Sequence, residues 1–318
     1  AAVIANVGLT MICYTEVSTV RPVGPFSLGF SSEIFMGLNH QVKAYSDEVF
    51  SQVLRIGDQL VLVKVMSQGT VQYPELRVEY SSNQPITTKT RLMAQRVVEY
   101  VFNLNFDLSK FYRSVENDAV MLQVSRCLYG FKYPTTPSVF ESLVDSIVEQ
   151  QISIKVARTI EERLALKFGD KLMVDDVEYY AFPTPQNIVA RSIGDIQGCG
   201  LSQRKAEYIF GVARMIVEGE LDLEEMKNCQ DIPSVIGVLD GIKGVGIWTA
   251  ELTVFRGMQR LEVLPADDFG IRRAVSKYYC GGKLIKGAET REIAKLWGKW
   301  QGLAAFYLLA AEFLGITV

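Results

Sequence analysis

The hydrophobic pattern changes its period along the chain. In the first hundred residues, "QLVLVKV" (Gln59 to Val65) is a short apolar run and "LRVEYS" (Leu76 to Ser81) alternates, so both predict strands. "SSNQP" (Ser81 to Pro85) predicts a turn, and "TKTRLMAQRVVEYVFNL" (Thr88 to Leu104) an amphipathic helix. From Asn105 onward the period is helical, with short Pro/Gly breaks at Pro134, Pro137, Pro183, Pro185, Pro233 and Pro265. Predicted helices cover Ser138 to Phe168, Ser202 to Glu218, Ser234 to Asp240, Ile247 to Gln259, Phe269 to Tyr279 and Glu289 to Leu314.

The fold class is therefore α+β, a β-rich N-terminal domain (1–105) followed by a mostly helical region (106–318). Within the latter, 138–268 is expected to form a core, with 106–137 and 269–318 packing together as a second helical subdomain. There is no internal repeat and no low-complexity tract.

Composition narrows the chemistry. The 318 residues allow two or three domains, and 48% hydrophobic with 22% charged residues is ordinary for a globular protein. The net charge of -3 gives no global sign of a nucleic-acid binder, so a polyanion site must be local or built from backbone dipoles. Five cysteines stand far apart, which argues against a disulfide framework, a zinc site or a cysteine-ligated cluster. The one histidine, His40, sits in a polar stretch and argues against histidine-based catalysis. The first twenty residues lack Lys and Arg and are interrupted by Glu16, unlike a signal peptide, and no stretch is long enough for a membrane span. The expectation is a soluble, intracellular protein of the cytoplasm or nucleoid, or of the nucleus in a eukaryote.

Two neighbouring segments carry the chemistry. "LDGIKGVGIWTAELTVFRG" (Leu239 to Gly257) predicts a short helix, a glycine-bounded hairpin and a second helix. Gly244 and Gly246 leave N–H groups open to a phosphate, with Lys243 adding one charge at the tip; the alternative is that the glycines only turn the chain. "VLPADDFGIRRAV" (Val263 to Val275) places Asp267 and Asp268 at the head of a helix. One Asp can cap while the other faces a cleft, or the pair can simply cap.

Together these segments resemble the helix-hairpin-helix DNA glycosylase superfamily, most closely its alkylpurine branch, the 3-methyladenine DNA glycosylases. The resemblance runs from about Phe140 to Val275. It implies a monofunctional glycosylase of base excision repair that acts on double-stranded DNA with damaged bases. Asp268 matches the catalytic Asp and Trp248 an aromatic of the base pocket. Leu252 and Leu309 fall at further pocket positions, where a bacterial relative has Tyr and Trp. Trp248 stands where bifunctional members carry their nucleophilic Lys, which implies no strand cleavage.

The resemblance also implies DNA contacts at Gly244, Gly246, Lys243 and Thr249. Gln151, in "SVFESLVDSIVEQQIS", matches the wedge that fills the space left by a flipped base, or else lies in an exposed polar turn. Arg204 and Lys205, in "GLSQRKAEYI", are phosphate contacts or a solvated helix face. No cofactor is required; a structural monovalent cation at the Ile242 and Val245 carbonyls is implied, as is a monomer. "WGKWQG" (Trp297 to Gly302) is expected to put its tryptophans in the core. A glycosylase for oxidised guanine, hypoxanthine or uracil, or a non-catalytic hairpin DNA-binding module, stays open from these residues.

Overall fold

The computed structural model describes residues 13–318. The first twelve residues of the stretch weighed above as a leader lie outside it. Strands β1 (Tyr14–Val20), β2 (Lys43–Ser46), β3 (Val49–Ile56), β4 (Gln59–Ser67) and β5 (Leu76–Ser82) form an antiparallel sheet in the order β1-β5-β4-β3-β2. Between β1 and β2 lies the short helix α1 (Leu28–Ser32), and after β5 comes α2 (Thr88–Val101). The last residues of the predicted Thr88–Leu104 helix instead turn away, with Asn103 at φ 52. Helix α2 buries Ala94, Val98 and Val101 with Phe50, Val63 and Val65 of the sheet.

The remaining chain forms α3 (Ser109–Val115), α4 (Ala119–Cys127), α5 (Val139–Glu149), α6 (Ile154–Phe168), β6 (Lys171–Val174), β7 (Val177–Tyr180), α7 (Pro185–Val189), α8 (Ile193–Gln197), α9 (Gln203–Val217), α10 (Ile232–Asp240), α11 (Ile247–Met258), α12 (Phe269–Tyr279), α13 (Gly287–Ala294) and α14 (Gln301–Phe313).

Two expectations are corrected here. The helix predicted over Ser138 to Phe168 is two helices, broken at Gln150, where Gln151 takes φ 55 and Ser153 caps α6 through its side chain. The helix predicted over Glu289 to Leu314 is likewise split, because Gly298 at φ 52, ψ -129 interrupts a 3-10 stretch before α14. The region after Asn105 is mostly helical, as expected, and also holds one β-hairpin, β6–β7. The β6–β7 hairpin packs Leu172 and Val174 onto Val53 and Leu62, so β4 is covered on both faces. That double cover explains why "LVLV" reads as a continuous apolar run.

The helices enclose two cores. One gathers α5, α6, α9 and α10; the other gathers α3, α4, α12 and α14. Helix α11 belongs to both: Ala250, Val254 and Met258 face the first, Leu252 and Phe255 the second. Its N-terminus therefore emerges at the seam between them. That seam is where the hairpin and the Asp pair meet.

Candidate active site

The local sequence leaves the start of α11 bare. Helices α5 to α10 all begin with a Ser, Thr or Asp whose side chain accepts a backbone N–H: Ser138, Ser153, Thr184, Ser192, Ser202 and Asp231. Helix α11 begins with Gly246, which has no side chain to give and meets nothing within 4 Å of where a Cβ would sit. Its first N–H groups lack helical partners, and the dipole adds positive potential.

Gly244 is required for two reasons. It adopts φ 89, and a Cβ there would lie 2.1 Å from the Tyr208 ring. Lys243 is exposed at the tip, whereas Ile242 and Val245 bury their side chains in the core below. The Val245 N–H donates to the Ile242 carbonyl at 2.9 Å, closing the turn.

Asp268 is the N-cap of α12. Its Oδ1 accepts the Ile271 N–H at 2.9 Å, while its Oδ2 accepts the Trp248 indole Nε1–H at 3.1 Å. Asp268 thus caps α12 with one carboxylate oxygen and holds the Trp248 indole with the other. Asp267 is exposed and its carboxylate lies against Gly287, where a Cβ would be 2.0 Å from Oδ1. Leu309 closes one side: a Cβ on Gly270 would be 3.1 Å from both Asp268 Oδ1 and Leu309 Cδ1. The exposed Phe269 follows Asp268 at the rim, with the Arg273 guanidinium 5.7 Å from its ring centroid.

Other predicted site residues are placed differently. Leu252 is 1% exposed and belongs to the core between the helical units, so it backs the site and does not line an open pocket. Thr249 is also buried, its hydroxyl accepting from Gln150 Nε2 at 3.0 Å, so it is not presented to DNA. Lys205 is not free for a phosphate: its Nζ donates to the Val148 and Gln150 carbonyls at 2.7 and 2.5 Å. Burial holds its pKa below the usual lysine value. Arg204 and Gln151 are exposed. Trp297 is buried and donates to Asp118, as expected for a core ring, whereas Trp300 is half-buried, packing edge-on to Phe106 and Phe111. Trp300 also lines a cleft of about 770 Å³ with Tyr100 and Gln259, at the far end of α11 from Trp248.

A buried polar network was missed from the sequence. Arg256 Nη1 donates to both carboxylate oxygens of Glu149 at 2.8 Å. Although burial pulls the guanidinium's pKa down, Glu149 and Tyr133 outweigh it and raise it further. The Tyr133 phenol is pushed up by burial. Asp268 acts electrostatically on both residues. The signal was a four-residue spacing of acids, Glu141, Asp145 and Glu149, on an otherwise apolar helix. The first two face the N-terminal sheet, where Lys43 pairs with Glu141 at 3.1 Å. Burial, then the neighbouring Glu161 and Glu141, pushes Asp145 far up; burial first and then Glu149 raise Glu161 to about 8.

This hairpin-and-aspartate arrangement has a matching family. Residues 144–299 match the HhH-GPD superfamily base excision DNA repair proteins. A solved DNA-3-methyladenine glycosidase from Bacillus halodurans is 32% identical, over 65% of this chain and 91% of its own, with a TM-score of 0.52. The chain belongs to the HhH-GPD superfamily. The DNA-3-methyladenine glycosylase of Bacillus subtilis is 26% identical over 82% of this chain and 86% of its own length. The 3-methyladenine DNA-glycosylase of Archaeoglobus fulgidus superposes with a TM-score of 0.82 at 25% identity, covering 94% of this chain and 100% of its own. The likeness to that structure extends over the N-terminal sheet as well as the helices. As an HhH-GPD protein the chain is α+β and a base excision repair enzyme. Among the described residues, no helix is long and apolar enough to cross a membrane.

Proposed function

We propose that the protein is a monofunctional DNA glycosylase that hydrolyses the N-glycosidic bond of alkylated purines of the 3-methyladenine type, leaving an abasic site. The observation that carries this reading is the Trp248–Asp268 hydrogen bond at the mouth of an uncapped hairpin helix.

The glycosidic bond is shielded inside a duplex, so the nucleotide must be turned out, at a cost of a few kcal/mol that is least for damaged bases. The amides of Gly244, Gly246 and Ile247, with Lys243, hold the phosphates beside the lesion. Arg204 adds an exposed charge in the first turn of α9. Gln151 fills the vacated stack from its exposed turn.

A purine alkylated at N3 or N7 is cationic and a good leaving group. The Trp248 ring attracts such a base by about 0.5–2 kcal/mol, with Phe269 and Leu309 as further walls. As the base departs, the sugar gains oxocarbenium character, and the Asp268 carboxylate stabilises it or activates the attacking water. Because Oδ1 is tied to α12 and Oδ2 to the indole, the carboxylate is already oriented before substrate arrives.

The Ile242 and Val245 carbonyls fit a structural monovalent cation, since the Val245 N–H occupies only one lone pair of the Ile242 oxygen. The protein acts as a monomer wherever the cell keeps its DNA.

The test is a panel of duplexes, each with one damaged base: 3-methyladenine, 7-methylguanine, 8-oxoguanine, hypoxanthine or uracil. Base release is expected from the alkylated duplexes, with the strand intact until alkali or heat is applied. A protein–DNA adduct trapped by borohydride, or release confined to the other lesions, refutes the proposal.

A further inference from the structure

Several contacts converge on the turn between α5 and α6. Gln151 adopts φ 55, a left-handed conformation that disfavours a residue with a Cβ, so its surroundings must hold it there. From one side, the Lys205 ammonium donates to the Val148 and Gln150 carbonyls, at the end of α5 where carbonyls lack helical partners and the dipole is negative. From the other side, Gln150 Nε2 donates to the Gly244 carbonyl at 2.9 Å and to Thr249 Oγ1 at 3.0 Å. The third side is α9 itself: Tyr208, one turn after Lys205, presses its ring on Gly244. The turn, the hairpin and α9 thus close a triangle.

We propose that Lys205 and Gln150 are positioning residues, a latch that locks the Gln151–Ile152 turn to the phosphate-holding hairpin so that backbone grip and stack filling occur as one rigid unit. The proposal rests on the glycosylase reading above. It differs from a phosphate-contact role for Lys205, because the ammonium spends its hydrogen bonds inside the protein while the neighbouring Arg204 stays exposed. Ile152 and Ile154, 37% and 50% exposed, are the apolar groups the latch would carry to the duplex beside Gln151. Such groups suit an unstacked base step better than solvent.

Three readouts on the full chain test the latch. The first is amide hydrogen exchange at residues 151–153 without DNA. The second is the slope of log Kd against log salt on duplex DNA. The third is 2-aminopurine fluorescence beside an abasic analogue in the saturated complex. In Lys205→Met and in Gln150→Ala, exchange at the turn is expected to rise at least tenfold. Their fluorescence gain should fall at least threefold and their salt slope stay unchanged, while Lys205→Arg keeps most of the wild-type signal. A phosphate ligand would instead lower the slope by about one. That result for Lys205→Met, with turn exchange unaltered, overturns the proposal, as does unaltered exchange in both variants. Melting curves exclude global unfolding; should Lys205→Met fail to fold, Gln150→Ala alone decides. A wild-type protein that shows no base extrusion while the variants still loosen the turn defeats the glycosylase reading and leaves the latch standing.

Discussion

Trp248 and Asp268 are joined directly: the indole N–H of one helix's first turn donates, at 3.1 Å, to the carboxylate that caps another helix. The bond lies on the side of the second helical core, against which Trp248 packs and to which α12 belongs. It sets the orientation of the carboxylate that reaches from the first turn of α12 to the open end of α11. Capping and chemistry therefore share one side chain, and substitutions at position 268 must be read for both.

Asp268→Asn separates the two. Asparagine caps a helix about as well as aspartate, so the melting temperature and DNA affinity should stay close to wild type. Base release should fall by at least 100-fold with loss of the negative charge. Single-turnover excision beside a thermal melt measures both; near-wild-type excision removes Asp268 from the mechanism.

Trp248→Phe keeps an aromatic face and deletes the donor to Asp268. A hydrogen bond to a charged group contributes about 1.5–3 kcal/mol, so excision should slow by roughly tenfold or more with DNA affinity little changed. Trp248→Ala, which also removes the ring, should lose more against cationic bases than against neutral hypoxanthine. Equal losses on both substrates would count against the ring as a cation trap.

The hairpin glycines should respond in opposite ways. Gly244→Ala combines positive φ with a clash against Tyr208, and should destabilise the protein by about 1–3 kcal/mol. Gly246→Ser meets open space and offers α11 the side-chain cap it lacks. It should raise stability by a few tenths of a kcal/mol while weakening DNA binding, because the new hydroxyl takes an amide meant for phosphate. Urea titration and fluorescence anisotropy provide the two readings.

The acidic seam between the N-terminal sheet and α5–α6 predicts a pH dependence. Glu161 keeps its proton in the folded protein up to about 8, whereas an unfolded Glu releases it near 4.5. Its folded pKa is raised, so between those values the native state binds the extra proton, and its contribution to stability declines as pH rises through that window. Glu161→Gln, which cannot ionise, should flatten the decline and raise the melting temperature at pH 8 by several degrees, with little effect at pH 5. Parallel wild-type and variant curves across that range would refute the assignment.

The sequence by itself determined the local pieces: the hairpin, the open start of α11 and the helix of Phe269 to Tyr279, whereas Trp248 and Asp268 are singled out only by the family resemblance. The local pieces are legible because glycine spacing, proline breaks and helical period act over a few residues. The same locality hid the β2–β3 and β6–β7 hairpins, whose turns use Asp47–Glu48 and Asp175–Asp176 at positive φ where glycine or asparagine would have signalled them. It also misjudged Leu252 and Lys205, because neither a buried Leu nor an inward-facing ammonium differs in sequence from its exposed counterpart. Only tertiary packing decided those cases. Burial and hydrogen-bond partners come from residues distant in sequence, as when Gln150 meets Gly244 or Arg256 meets Glu149. The Trp248–Asp268 bond is of the same kind: α11 had to be shared by two cores before its first turn could face the cap of α12.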